Sequence, residues 1–416
     1  MPKEKPTPNI LLTMEEDLFS QMKERYRREL EERLQRQADS LRACPLREAR
    51  LIPLVLKSLF GDVRLKVAAG YERKTGLWTV PAREAWGLKE NQRLTPALQF
   101  RACCTAAETG AYERASRLMG HLGFTLSDDA IRSCAESTGR QAAAHPLFER
   151  CPNAAGAQDV LILMMDGWLM RHRGKNWGVD AEEAADEHVH WHEIKSAILY
   201  RLSDITKVQP TRRALIHKHI VATPAGTEPL DFSQIVWREA MRMGVGNASR
   251  VYLVLDGGLW LWNIFEDRFS RCATGTLDFY HASEHLHVLA DNLFADKAQA
   301  SRWCASLLHT LRHRSSKKLF KTLEELVLNP PEDTPDVIAA IQDANAYFER
   351  HREHMDYAKH AEEGLPIGSG SVESLCSQFQ TRFKRTGQFW SGKGSAGLLE
   401  LFVRYQNDEL AALWAA

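Results

Sequence analysis

The stretch Leu161-Ile162-Leu163-Met164-Met165-Asp166-Gly167-Trp168 constrains the fold more than any other part of the chain. An unbroken apolar run of this length, led in by the turn-prone Gly156-Ala157-Gln158-Asp159, reads as a strand buried on both faces. The strand is expected to run out at Asp166. A lone charge buried there is costly, so Asp166 is expected to be paired, protonated or metal-bound. Two later stretches repeat the pattern. Val251-Tyr252-Leu253-Val254-Leu255 leads to Asp256-Gly257-Gly258, and Ile367-Gly368-Ser369-Gly370-Ser371-Val372 leads to Glu373. Three carboxylates at element ends, far apart along the chain, point to one divalent-metal site. The competing reading is a pair of Asp-Gly turns, and for either aspartate alone it is the better one.

A chain of 416 residues can hold two or three domains. Its 44% hydrophobic and 26% charged residues describe an ordinary soluble globular protein. Lys+Arg and Asp+Glu both count 54, so nucleic-acid binding would have to come from local patches. No stretch is long and apolar enough to span a bilayer, and Met1-Pro2-Lys3-Glu4-Lys5-Pro6 lacks the apolar core of a secretory signal. None of the eight cysteines forms a Cys-x-x-Cys pair, which argues against a zinc ribbon or a disulfide framework. A cytoplasmic location with reduced thiols is expected.

Residues 1–12 read as a loose tail. Thr13-Met14-Glu15-Glu16 fits a capping box, followed by an amphipathic helix with Phe19, Met22, Tyr26, Leu30, Leu34, Ala38 and Leu41 on one stripe. Packing on its own domain is the favoured use of that stripe. Alternating Val63, Leu65 and Val67, with a turn at Lys74-Thr75-Gly76, predict a small β-hairpin. Helices at 111–119 and from a Ser127 cap onward, separated by Gly123, match a helix-turn-helix; ordinary helical hairpins look the same. The segment 151–156 is the expected boundary to a second domain. There Trp191–Tyr200, the Asp256 strand and Ala273–Leu277 are expected as strands and Phe232–Met243 as a helix. From Ala282 to about Arg350 the pattern is helical, with a break at Leu328-Asn329-Pro330-Pro331. Arg312-His313-Arg314-Ser315-Ser316-Lys317-Lys318 is the strongest basic patch. Glu373 should begin a helix running to about Arg385, carrying Arg382, Lys384 and Arg385, with Trp390 placed to stack on an unpaired base. Residues 398–414 read as one closing helix.

Two divalent ions held roughly 3.5–4 Å apart stabilise the attacking and leaving oxygens of an in-line phosphoryl displacement. Magnesium suits such work because it takes oxygen ligands and keeps water positions open. Aspartates on adjacent strand ends with a glutamate on a facing helix would hold it.

The run from Leu255 to Trp262, then Leu277-Asp278-Phe279-Tyr280-His281-Ala282-Ser283-Glu284-His285-Leu286, resembles bacterial insertion-sequence DDE transposases. Of these, the Kra-type group, with its Mutator-like relatives, is the nearest. Ile367–Ser374, with Arg382, Lys384 and 387–390, is similar to that group's final acidic motif, and Asp166-Gly167 looks like its first. The likeness spans roughly residues 85 to 405. It implies an α/β fold: an RNase H-like mixed sheet core with an all-α insertion and a mainly helical N-terminal DNA-binding region. The divisions would be an N-terminal helix over 1–45, a helix-turn-helix region over 46–150, core over 151–290, insertion over 291–360, and the final core segment over 361–416. Asp166, Asp256 and Glu373 would be the catalytic ligands of Mg²⁺ or Mn²⁺, with Asp278 and His281 supporting them. Asp256 is preferred over Asp278 as second ligand because it ends a strongly apolar strand. Arg312, Arg314, Lys317, Lys318, Arg382, Lys384, Arg385 and Trp390 would contact DNA. The implied activity is cleavage of element ends and their joining to target DNA by two-metal-ion phosphoryl transfer. A homodimer or higher oligomer, acting near the bacterial nucleoid, would bring the terminal inverted repeats and target together.

The chain departs from that group in several places. Tyr71–Gly76 stands where paired cysteines are expected, Ser377 replaces a lysine, and Gln388-Phe389 replaces Met-Arg. An inactive or repurposed DNA-binding descendant is the alternative. A zinc hydrolase is a further rival, built on alternating His188, His190 and His192 or on His281 and His285 one helical turn apart.

Overall fold

The computed structural model describes residues 9–173, 189–209, 212–332 and 334–414. They fall into two compact units, Met1–Thr138 with Leu410–Ala416, and Gly139–Glu409.

In the first unit, helix α1 (Ile10–Ser40) starts earlier than its sequence suggests. Asn9 is the cap, its Oδ1 accepting from the backbone N–H of Leu11 and Leu12 at 3.0 and 3.3 Å. The expected cap, Thr13, already donates its N–H to Asn9 O and lies inside the helix; asparagine is at least as good an N-cap and comes first. The stripe packs within this unit over its second half: Ala38 is buried, and Leu30, Leu34 and Leu41 lie against Leu54, Leu56, Val63, Leu65 and Val67.

Those residues belong to β1 (Leu46–Ser58) and β2 (Gly61–Glu72), a long antiparallel hairpin joined by β3 (Trp78–Thr79). The expectation of a mainly helical region with a small hairpin is corrected here. β1 escapes a sequence search because its first half is exposed, and burial alternates only from Leu54 to Ser58. Helices α2 (Pro81–Ala85), α3 (Pro96–Glu108), α4 (Tyr112–His121) and α5 (Asp128–Ala144) follow. α4 and α5 form the expected helix pair: Gly123 takes φ +82° in the turn, and Ser127 Oγ caps Ala130 N at 3.2 Å. A Cβ at Gly123 would also lie 2.8 Å from the Phe19 ring.

The second unit is built on β4 (Val160–Arg173), β5 (Val189–Arg201), β8 (His219–Ala222), β9 (Arg250–Leu255) and β10 (Ala273–Leu277), with a two-stranded ribbon of β6 (Ile205–Gln209) and β7 (Arg212–Leu215) beside them. The sheet order is β10-β9-β4-β5-β8, with β10, β9 and β4 parallel and β5 antiparallel to both β4 and β8. This mixed α/β arrangement is compatible with an RNase H-like core.

Side chains alternate across β4. Leu161, Leu163 and Met165 join Leu253, Leu255, Ala197 and Leu199 in one core with α6 (Pro229–Arg242), α7 (Leu259–Ile264) and the helical stretch α8 (Phe279–Leu293), α9 (Lys297–His313), α10 (Lys317–Leu328), α11 (Pro335–Arg350) and α12 (Tyr357–Glu362). That stretch therefore shares the sheet's core. The opposite face is covered by α13 (Gly370–Phe383) and α14 (Gly392–Gln406); Phe379 stacks on Trp168 at 5.4 Å and meets Phe402 at 5.4 Å. The expected single closing helix is two pieces. Asn407 bonds the backbone N–H and C=O of Ile220, Asp408 turns at φ +57°, and a 3₁₀ turn, Leu410–Trp414, follows.

Candidate active site

Register places the first two carboxylates together. Met164–Val254 is the last pair between parallel β4 and β9, and Asp166 and Asp256 each follow two residues on, near enough for the Asp256 charge to raise the Asp166 pKa. Glu373 sits in the first turn of α13, the helix laid over β4. The expectation that β4 ends at Asp166 is corrected. β4 continues to Arg173 paired with β5; what ends near Asp166 is its partnership with β9.

Neither Asp-Gly glycine takes a left-handed turn conformation. A Cβ at Gly167 would lie 2.5 Å from Glu193 Oε1, and one at Gly257 would lie 2.3 Å from the ring of Tyr347. Close approach of the packed Tyr347 ring, not turn geometry, fixes Gly257, whereas the contact at Gly167 is with the far end of the exposed Glu193 side chain, which can shift.

Each carboxylate accepts one local hydrogen bond: Asp166 from Gly167 N at 2.6 Å, Asp256 from Gly258 N at 2.7 Å, and Glu373 from Ser369 Oγ at 2.6 Å. Among the described residues no Lys, Arg or His pairs with any of the three. Burial pushes the Asp166 pKa up, and the negative charges of Asp256 and Glu373 push it further. The buried Cys376 thiol also bonds Asp166; burial first, and then Asp166 and Glu373, raise its pKa. The three residues do not each place one oxygen within 4.8 Å of the other two. What fits Mg²⁺ or Mn²⁺ is the chemistry of the donors, which are all carboxylate oxygens.

Asp278 lies fully buried at the start of α8. Its Oδ1 accepts from Tyr280 N and His281 N at 2.5 and 3.3 Å, and its Oδ2 from Ser369 N at 2.6 Å. Its own N–H donates to Leu255 O at 2.7 Å. Asp278 thus ties the end of β9 to the loop whose Ser369 holds Glu373. The His281 ring turns to Glu284, with Nδ1 3.5 Å from Oε2, and only its backbone N–H joins this set.

The basic residues divide. Arg312, Arg314, Lys317 and Lys318 are exposed where α9 meets α10; Arg312 lies over the Phe279 ring and Lys318 bonds Ser306. Lys384 is exposed over the Trp191 ring at 4.8 Å, and Arg385 bonds Thr381 O. Arg382 and Trp390, expected on the DNA, are buried at 4% and 7% exposure. Trp390 Nε1 donates to Phe383 O at 2.8 Å and its ring meets Phe383 at 5.5 Å. The aromatic after a Gly turn serves packing here, so base stacking at Trp390 is corrected.

Among the described residues the zinc alternatives find no third ligand. His188 lies outside the described residues. The His190 and His192 rings are 6.4 Å apart, and neither they nor His281 and His285 belong to a three-ligand group. Among the described residues such a group is formed by Cys151, His219 and Glu409. Its chemistry is already satisfied: His219 Nε2 lies 2.9 Å from Glu239, and Arg242 bonds both Glu239 and Glu409. Sequence reading missed this group, Cys376's thiol contact and Tyr347. Only the glycine after Asp256 signalled the last.

No family model and no curated protein sequence matches the chain. Similar solved structures include the Drosophila P element transposase strand transfer complex, at 12% identity over 76% of this chain and 78% of that one, with a TM-score of 0.26. A likeness at this level establishes neither fold nor activity, so any reading rests on the carboxylates themselves.

Proposed function

We propose that this chain is a DDE-type DNA transposase with an RNase H-like core. What supports the reading is the approach of Asp166 on β4, Asp256 just after β9 and Glu373 in the first turn of α13, with no basic partner among the described residues. Asp166, Asp256 and Glu373 would hold Mg²⁺ or Mn²⁺, which when bound supplies Lewis-acid stabilisation at the attacking and leaving oxygens of a phosphodiester. Asp278 positions Glu373 through Ser369. The exposed Arg312, Arg314, Lys317, Lys318 and Lys384, with the half-buried Arg385, supply the phosphate contacts, and binding is expected to weaken steeply with added salt. Joining two element ends requires at least a dimer. No helix among the described residues is long and apolar enough to cross a membrane.

The test is cleavage of DNA carrying the flanks of the coding sequence, in Mg²⁺ or Mn²⁺, by wild type, Asp166→Asn and Glu373→Gln. Both variants are expected to bind the DNA as wild type does and to lose about a thousandfold or more in cleavage. Undiminished cleavage would remove the proposal. Equal DNA binding with no cleavage by wild type would favour the alternative, a repurposed DNA-binding descendant.

A further inference from the structure

Tyr347 comes from α11, in the helical stretch that interrupts the sheet unit, some ninety residues beyond Gly257 in sequence. Its ring lies on Gly257, and its hydroxyl sits 2.6 Å from where a Cβ of that glycine would be, directly after Asp256. The residue is 9% exposed, and its hydroxyl has no hydrogen-bond partner. His285 stacks on the ring with centroids 3.6 Å apart and planes at 20°, fixing its orientation. A buried hydroxyl without a partner costs stability, so it calls for an explanation.

The chemistry of the neighbourhood supplies one. Ionised carboxylates only accept hydrogen bonds, and so does a phosphodiester. A lysine or arginine would donate to the phosphate but would also neutralise the carboxylates. A neutral O–H donates without doing so. Burial, and then the charges of Asp256 and Asp278, push the Tyr347 pKa up, so the proton stays on.

We propose that Tyr347 is a substrate-positioning residue of the carboxylate site, its hydroxyl donating to a non-bridging oxygen of the phosphodiester held there. This rests on the reading of Asp166, Asp256 and Glu373 as a phosphoryl-transfer site. It makes the helical stretch a contributor to the site and explains why residue 257 is glycine.

The experiment is nicking of supercoiled plasmid in Mn²⁺ by wild type, Tyr347→Phe, Tyr357→Phe and Asp166→Asn, with Mn²⁺ affinity and melting temperature measured on each. Tyr347→Phe keeps the ring on Gly257. Its nicking is expected to slow ~10–100-fold, as for loss of one preorganised donor, with Mn²⁺ affinity within about twofold of wild type. It should melt at or above wild type, because a hydroxyl serving only the fold would lower stability when lost. Tyr357, fully buried and also without a hydroxyl partner, serves as the control and its Phe variant should nick like wild type. A wild-type rate in Tyr347→Phe, or an equal loss in Tyr357→Phe, overturns the inference. If Asp166→Asn is dead while Tyr347→Phe is unimpaired, the carboxylate reading survives and this inference does not. Wild-type nicking by Asp166→Asn overturns both.

Discussion

The Cys151–His219–Glu239–Arg242–Glu409 network and the Asp166–Asp256–Glu373 group occupy the same unit, yet their charges are arranged in opposite ways. In the first, Arg242 lies between Glu239 and Glu409, Arg238 and His219 add two further bonds to Glu239, and all but Arg238 are nearly enclosed. In the second, three acids face one another without a cation, and Asp166 is driven toward its protonated form. The comparison separates geometry from need. Cys151, His219 and Glu409 meet the spacing of a metal site, but Arg242 already supplies the positive charge an ion would bring. The three acids fall outside that spacing and lack that charge among the described residues. A balanced buried group is costly to break by removing one partner, whereas an unbalanced one weakens the fold until a cation arrives.

Breaking the balanced group should have the largest effect. Arg242→Met leaves Glu239 and Glu409 buried with less compensation, and about 3–5 kcal/mol of stability should be lost in denaturant unfolding. A loss well under 1 kcal/mol would mean the two groups differ less than argued.

Asp278→Ala comes next. Removing the cap of α8 should cost about 0.5–2 kcal/mol, and freeing Ser369 should slow cleavage out of proportion to that loss. Cleavage that falls only as far as the folded fraction falls would deny Asp278 a positioning role.

The smallest effect is on pH dependence. Burial alone would lower the His219 pKa, but Cys151 and Glu239 hold it up at about 9. The stability this adds is complete below the ordinary histidine value of about 6.5 and is lost as pH rises through about 9. Glu239 works in the opposite direction: held at about 2 against its burial by His219 and the arginines, its share is present above the usual carboxylate range and is lost as pH falls through about 2. In His219→Gln the decline above neutrality should flatten; an unchanged profile would show that His219 is not protonated in the folded chain.

These contrasts also show what the sequence could reveal. β4 and β9 were legible because both are buried on two faces and read as unbroken apolar runs, and Asp166 and Asp256 stand out as the charges that interrupt them. The helices from α8 to α11 follow the expected pattern and its break at 329–331. β1 was hidden because most of it faces solvent. The roles of Arg382 and Trp390 were misread because a basic and aromatic tract looks the same whether it faces a phosphate or packs against Phe383. Tyr347 was out of reach for another reason: it meets Gly257 only through the fold, and nothing local to either residue announces the other.

Calorimetric titration of Mn²⁺ tests the central contrast most directly, with wild type set against Asp166→Asn and Cys151→Ser. The account predicts binding by wild type and Cys151→Ser alike, and its loss in Asp166→Asn. Binding that survives in Asp166→Asn, or disappears in Cys151→Ser, would contradict it.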